Sequence, residues 1–450
     1  RIAPRVSGAG ETSRMADSGR RIVLATIGSL GDLHPFLALA LELKRRGHRP
    51  VLAAAEMLRG KVEGEGIEFA PMRPDPRVSC RRLGVDMAES ARRAQGQEDY
   101  VLRGMILPYL EDTYRDVLPL MNGADLLIAN NLAFGARVAA DARGVPHALL
   151  ALQPTVFLSA YDPPALKPTP WLPELVARFG PGAGQAALKM MKGATSFLGS
   201  PIRRLRRKAG LPPGADHPFF ENPFSGVASI GFYSPLLGDL QPDAPAGTTV
   251  TGFAFYDRDA TGAGAMSREL RAFLDEGEAP IVFTLGSLVV LSPGDFFDAA
   301  VVAARRLKRR AVLMVGPEGL EAHRRLAAED VFVTAYAPHS EVFPNAWTVV
   351  HHGGVGTTAQ ALRAGKPQIV VPCIADQFDN ALRIERLGVG EGLDRRRLTA
   401  DRLSRALARV QAPQIFARAA EVGRVVSRER GEAVAADLIE TLLPSRREAA

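Results

Sequence analysis

The sequence predicts an α/β chain of two doubly wound, Rossmann-like domains facing a central cleft. Two observations carry that expectation. Apolar, β-branched runs alternate with helical patterns in one series from Ile22 and again in a second from Ile281, and such alternation builds parallel sheets. Each series also places a glycine-rich turn between a strand and a helix start, Gly28–Asp32 in the first and His352–Thr357 in the second. A chain of 450 residues is long enough for two domains with full cores.

The first series opens with a strand, Ile22–Thr26, and the turn Gly28–Asp32. A helix from about Pro35 to Arg46 then stops at Gly47. Proline just inside a helix start and glycine just past its end are the expected punctuation. Strand Pro50–Ala54 follows, then a long helical pattern over Tyr100–Met121, a strand Asp125–Ala129, a helix Phe134–Arg143 and a strand Pro146–Ala151. Residues Gln153–Gly182 hold many prolines with Phe157, Tyr161 and Trp171, and a loop of that length is usually functional. A helix over about Gln185–Ala209 and short strands near Ala228–Phe232 and Thr249–Phe253 complete the series.

The division expected is a disordered segment 1–20, a first domain 21–238, a linker 239–265 rich in Asp, Gly, Pro and Thr, a second domain 266–425, and a C-terminal helix in 426–450. That last helix carries Val434, Ala435, Leu438, Ile439 and Leu442 at helical spacing.

Composition narrows the partners. Hydrophobic residues make up 46% of the chain, with no apolar run near the length of a membrane span. Cys80 and Cys373 lie far apart and suggest neither a zinc site nor a disulfide framework, which points to a reducing, cytoplasmic setting. Residues 1–20 lack the apolar core of a secretory signal, and Met15 is a possible natural start. The net charge of +7 would suit nucleic acid or an anionic membrane. The arginines read as spread along the chain, however, and no nucleic-acid module is present, so nucleic acid is not expected. The run Arg203–Lys208 could meet anionic lipid, yet it reads more simply as a solvated helix end. Asp257-Arg258-Asp259 imitates a metal-binding D-x-D motif, but it falls in the linker, away from any phosphate loop, and no metal is expected.

The stretch His351-His352-Gly353-Gly354-Val355-Gly356-Thr357-Thr358 holds most of the chemistry. Glycines allow close backbone approach, and first-turn N–H groups with the helix dipole face an anion, so a phosphate or pyrophosphate site is expected here. Successive strand residues point to opposite faces, so only one of the two histidines reaches that ligand. Past the next strand, Gln368–Pro372, come Asp376, Gln377 and Asn380, polar side chains where α/β sheets present ligands. In the first turn Asp32 has two readings, a general base or a helix cap. His34, two residues on and just before Pro35, shares the neighbourhood and competes for either role.

Tyr336-Ala337-Pro338-His339, His352-Gly353-Gly354, Gln360 and Asp376-Gln377, in that order across about forty residues, resemble the nucleotide-sugar signature of family 1 glycosyltransferases. Those are the UDP-glycosyltransferase-like, inverting enzymes of the two-domain GT-B fold. The wording HHGGVGTTAQAL and DQFDNA is most similar to bacterial rhamnosyltransferases and to sterol and macrolide glycosyltransferases.

The resemblance implies an acceptor-binding first domain, a nucleotide-sugar-binding second domain, and a final helix that returns to the first. It gives His352 a hydrogen bond to the pyrophosphate, with Gly354, Gly356 and Thr357 lining the same pocket and the Ser287 hydroxyl near the phosphates. Tyr336 stands where many members stack Trp on the nucleobase, with His339 beside it, although a core tyrosine is the alternative. Gln360 replaces the Glu that accepts from both ribose hydroxyls, which keeps a dTDP-sugar open beside the UDP-sugar that the family favours. Asp376 and Gln377 would grip a hexose, and Asp32 matches the base of several bacterial members. No cofactor or metal is implied, only the nucleotide sugar as co-substrate. The acceptor would be hydrophobic: a phenol, polyketide, sterol or lipid. Two other classes stay open, a nucleotide-sugar epimerase of the same architecture and a non-catalytic sugar-nucleotide- or lipid-binding protein. No oligomeric state follows from the sequence.

Overall fold

The computed structural model describes residues 19–443, apart from 98, 215, 216, 218 and 258–265. The first sheet is all parallel in the order β3-β2-β1-β4-β5-β6-β7. Its strands are β1 (Arg21–Ala25), β2 (Arg49–Ala54), β3 (Glu68–Pro71), β4 (Leu126–Ala129), β5 (His147–Ala151), β6 (Ala228–Gly231) and β7 (Thr248–Val250). The second sheet is also parallel, in the order β10-β9-β8-β11-β12-β13. It contains β8 (Ile281–Thr284), β9 (Ala311–Met314), β10 (Val331–Thr334), β11 (Thr348–His351), β12 (Gln368–Val370) and β13 (Gly390–Gly392). Strand order reverses between β1 and β4, and between β8 and β11. In doubly wound sheets, ligands bind at such switch points, beyond the carboxyl ends of the strands.

Both faces of each sheet are covered, as parallel sheets require. Ile22 and Leu24 of β1 point into one core with Leu33, Phe36 and Leu37, while Val23 and Ala25 point into another with Leu110, Phe134 and Val138. The second domain repeats the pattern, with Ile281 and Phe283 on one side of β8 and Val282 on the other.

Several elements depart from the sequence expectation for identifiable reasons. Helix α1 runs Leu30–Arg45 and holds Pro35 in its interior. Ser29 and Asp32 form a capping box that starts the helix before the proline. The expected long helix over Tyr100–Met121 is broken into Val101–Ile106, Leu107–Tyr109, Leu110–Val117 and Leu118–Met121. Pro108 and Pro119 remove backbone donors there and force tighter and wider turns. The expected helix Gln185–Ala209 divides into Pro181–Thr195 and Ser200–Lys208 around a turn at Ser196–Gly199. Strand β7 falls inside the span expected as linker, because it pairs with β6 as an edge strand. The linker expectation therefore holds at most beyond Val250. Of the segment expected to be disordered, residues 1–18 lie outside the described residues, and Arg20 is ion-paired to Asp125.

The chain crosses between the domains twice, and one carboxylate ties the crossings together. Glu429 accepts the Ser234 hydroxyl at 2.6 Å and the Phe253 N–H at 2.8 Å, and the Gly431 N–H donates to the Phe253 carbonyl at 3.0 Å. The final helix, Gly431–Leu442, sets Ala435, Ala436 and Ile439 into the first domain's core beside α1. Arg46 of the loop after α1 bonds to Asp437 and to the Ala433 carbonyl.

Candidate active site

Asp32 sits at the carboxyl end of β1, beside the first switch point. Its carboxylate accepts the Ser29 N–H at 2.7 Å, and the Ser29 hydroxyl lies at 3.4 Å. Gly28 has φ +152, and a Cβ there would lie 2.1 Å from Asp32 Oδ2. Only glycine lets the carboxylate fold back over the turn. Burial pushes the Asp32 carboxyl up to about 6, with the Ser29 hydrogen bonds opposing the shift. The capping reading and the base reading are thus compatible: the group that closes the capping box is also held near neutrality.

His34 lies two residues along the same helix, and residues two apart do not share a helix face. Its ring packs against Tyr256 at 5.1 Å, while the Tyr256 hydroxyl donates to Glu65. Asn130, just past β4, clamps the base of the turn. It donates to the Ile27 carbonyl at 2.8 Å and is fully buried. Sequence reading passed over it, although an Asn-Asn pair at the carboxyl end of β4 was the available signal.

Across the cleft, β11 ends in the two histidines, and their roles separate. The His351 Nδ1 accepts the Gly353 N–H at 3.0 Å, so its Nε2–H donates to Gln368 Oε1 at 2.8 Å. His351 is therefore a neutral structural brace. The His352 ring is wedged between two glycines. A Cβ on Gly286 or on Gly354 would come within 2.4 Å of its ring atoms. Its Nδ1 is buried without a partner among the described residues. Burial drives His352 down to about 3, with His351 and His339 adding to the shift. The imidazole is neutral here, so the hydrogen bond that the resemblance gives to His352 would come from an uncharged ring.

Helix α2 (Val355–Arg363) follows Gly354, whose position as N-cap supplies no side-chain hydrogen bond. The first-turn N–H groups at Val355, Gly356 and Thr357 are left without a side-chain cap, and Thr357 is buried beside them. Gly353, at φ +89, could take no side chain either, since its Cβ would lie 2.7 Å from Val370. Ser287 is exposed in the single helical turn Gly286–Val289 after β8.

The polar cluster past β12 is presented by Ala375, which holds a left-handed φ of 50, a conformation costly for a non-glycine residue and often found at functional sites. Asn380 donates to both the Gly353 carbonyl and Asp376 Oδ2 at 2.8 Å, locking Asp376 to the glycine turn. Burial pushes the Asp376 carboxyl up to about 7, and the charge of Asp32 across the cleft adds to it. The Asp376 carboxyl is thus raised in part by a charge on the opposite domain. Gln377 is spent differently from the expectation. Its Oε1 accepts the Cys373 and Ile374 N–H groups at 2.9 and 3.0 Å, so its acceptor braces the loop and only the amide nitrogen is left for a sugar.

Gln360 donates through Nε2 to Asp257 Oδ1 at 3.1 Å, and Arg363 pairs with the same carboxylate. Asp257 thus serves as an interdomain anchor; Arg258 and Asp259 of the D-x-D look-alike lie outside the described residues. Tyr336 is 49% exposed, which removes the core-tyrosine alternative. His339 stacks on Phe343 at 4.5 Å, and burial, aided by the charge of His34, lowers it to about 4.

The proline-rich loop of the first domain is fastened to helix α3 (Gln377–Arg386) of the second. Asp162 accepts from Arg383 at 2.6 Å and from Arg386 at 2.9 Å, and the Ala165 N–H donates to buried Asp379 at 3.0 Å. Nothing in the local sequence pairs Asp162 with Arg383, more than two hundred residues apart.

Two parallel sheets meeting at their switch points, with a carboxylate on one side and an uncapped glycine turn on the other, define the GT-B class of sugar-transferring proteins. The comparisons agree. Residues 22–106 match the glycosyltransferase family 28 N-terminal domain, and residues 301–440 match the C-terminal domain of erythromycin biosynthesis protein CIII-like proteins. The chain is 31% identical to the O-mycaminosyltylonolide 6-deoxyallosyltransferase of Streptomyces fradiae, over 95% of this chain and 98% of that protein. It is 27% identical to a sterol 3-beta-glucosyltransferase of Arabidopsis thaliana, over 94% of this chain and 68% of that one. Its fold is similar to that of a Streptomyces sp. SF2575 glycosyltransferase complexed with thymidine diphosphate, with a TM-score of 0.61 and 21% identity, over 94% of this chain and 99% of that chain. The chain belongs to the GT-B glycosyltransferases, among those with a family 28-type N-terminal domain and an erythromycin CIII-like C-terminal domain.

Proposed function

We propose that the protein is an inverting, metal-independent glycosyltransferase that moves a hexose or deoxyhexose from a nucleotide diphosphate to a hydroxyl of a hydrophobic acceptor. The observation that carries this reading is the opposition of Asp32 to the His352–Thr357 turn across the cleft. In the forward step the Asp32 carboxylate takes the acceptor's O–H proton. The freed oxygen attacks the anomeric carbon as its bond to the diphosphate breaks, so a single displacement inverts the centre. The leaving diphosphate takes the bonding pair, and its charge is met by the first-turn N–H groups of α2 and a neutral His352 N–H. Asp376, held by Asn380, and the Gln377 amide nitrogen would orient the sugar, with Ser287 near the phosphates and Tyr336 and His339 at the base.

Gln360 shifts the donor preference from the uridine nucleotide expected of the family toward thymidine diphosphate. With its Nε2 on Asp257, one amide oxygen remains, which suits the single 3′-hydroxyl of a deoxyribose better than a ribose diol. The thymidine diphosphate in the similar structure supports the same reading. The named relatives act on a tylonolide glycoside and on sterols, which supports a bulky, apolar alcohol as acceptor. Family membership leaves no reason to keep the epimerase reading. The test is nucleotide release from dTDP- and UDP-sugars across a panel of such acceptors, with product anomers assigned by NMR. Release that requires acceptor, with inversion and in the presence of a chelator, is expected. Binding of donor without release in any combination would favour the non-catalytic alternative.

A further inference from the structure

The chain's positive charge has one source. Between residues 175 and 215 there are eight Lys or Arg and no Asp or Glu, leaving 48 Lys and Arg against 49 Asp and Glu elsewhere. This corrects the reading that the cations are evenly spread. The same segment exposes large apolar side chains: Met190 is 69%, Phe179 62% and Phe197 58% exposed, and Trp171, just before the segment, is 50% exposed.

The helix Pro181–Thr195 explains the pattern. Gly184, Ala187 and Leu188 face inward. The outward stripe reads Gln185, Ala186, Lys189, Met190, Gly193 and Ala194, and Phe197 extends it into the following turn. A solvated helix face should be polar, and an exposed apolar patch marks a contact surface. Cations border the patch. The Arg178 guanidinium lies 5.2 Å over the Phe179 ring and that of Arg103 lies 5.4 Å over Phe197. Arg203 donates to the Ser196 carbonyl at 2.8 Å, beside Phe197. Of the acidic groups nearby, Glu221 pairs with Lys192, Glu111 with Lys208 and Asp99 with Arg103, while Glu174 is exposed on the helix that carries Arg178 and Phe179. The same helix also walls a cavity of about 560 Å³, to which it contributes Leu188 with Gln185, Lys189 and Lys192, facing Phe157, Phe224 and the carboxylates of Glu221 and Asp243.

We infer that this face of the first domain is a docking surface for an anionic lipid bilayer. Aromatic and Met side chains would enter the headgroup–acyl boundary while Arg178, Arg203 and Lys189 meet lipid phosphates and carboxylates. No helix among the described residues is long and apolar enough to cross a membrane, so contact would be peripheral. The apolar stripe, together with the lack of acidic residues between 175 and 215, favours a bilayer over an acidic protein, which would need charge complementarity alone.

Co-sedimentation of the full chain with phosphatidylcholine vesicles, with and without phosphatidylserine, tests the inference. Binding only to the phosphatidylserine vesicles, weakening with salt, is expected. The triple variant Phe179→Ser, Met190→Ser, Phe197→Ser should abolish it while Tm and nucleotide affinity stay unchanged. Should that variant fold poorly, Arg178→Glu with Lys189→Glu gives an independent arm, expected to weaken binding by roughly fivefold or more per site, the equivalent of about 1 kcal/mol per charge removed. No binding to either vesicle, equal binding to both, or a concentration-dependent dimer that the triple variant dissolves would overturn the proposal.

Discussion

The two glycine turns of this molecule are built alike and finished differently. Each follows a strand at a switch point and opens a helix toward the cleft. After β1 the turn closes on itself, because Ser29 and Asp32 cap each other. After β11 the N-cap is Gly354, which has no side chain, and the first-turn N–H groups receive no cap. Two positions separate the outcomes, Ser29 against Gly354 at the N-cap and Asp32 against Thr357 three residues on. The capped turn spends its donors internally and presents a carboxylate, whereas the uncapped turn keeps its donors for an anion. The same backbone motif thus serves proton transfer on one side and charge stabilisation on the other.

The largest expected effect comes from removing the carboxylate. Asp32→Asn should lower the transfer rate by about a hundredfold to ten-thousandfold while nucleotide affinity persists, measured by steady-state kinetics and calorimetry. Stability should move the other way. The folded-state carboxyl is raised to about 6, so the folded protein binds the proton more tightly than the unfolded chain. That contribution is present in acid and lost as pH rises through about 6. Asp32→Asn should therefore raise Tm at pH 8 and leave it nearly unchanged at pH 4; a Tm lowered at pH 8 would mean that the carboxylate's capping bonds outweigh its burial.

The next effect belongs to the uncapped turn. His352→Ala should weaken nucleotide diphosphate binding by about 1.5–3 kcal/mol if the imidazole donates to the phosphate. Calorimetry showing unchanged affinity would leave α2 to hold the anion without it. Smaller again is the donor preference. Gln360→Glu should favour UDP over dTDP by about 1 kcal/mol, roughly fivefold, read as the ratio of the two dissociation constants. A constant ratio would take Gln360 off the ribose and leave it as the partner of Asp257 alone.

Much of this was legible because it is local. Strand–turn–helix punctuation, the alternation of His351 and His352, and the position of Asp32 after β1 follow from residues a few places apart. What was hidden depends on contacts distant in sequence. Gln377 sits where a sugar ligand is expected, yet its oxygen holds the loop at Cys373 and Ile374. Gln360 meets an aspartate from the crossover segment, and Asp162 meets Arg383 from the other domain. Helix boundaries failed where prolines at 108 and 119 divided an otherwise regular apolar pattern. The separation of Asp32 from His34 needed the true helix start at Leu30, since only then do the two residues fall on different faces.

The pH dependence of single-turnover transfer, at saturating donor and acceptor, tests the division between the turns most directly. With Asp32 as the base, the rate should fall as pH drops below about 6, where the carboxylate takes up a proton. That inflection should vanish in Asp32→Asn and survive in His34→Ala. An inflection retained in Asp32→Asn and abolished in His34→Ala would place the base on His34 and contradict the assignment of proton transfer to the capped turn's carboxylate.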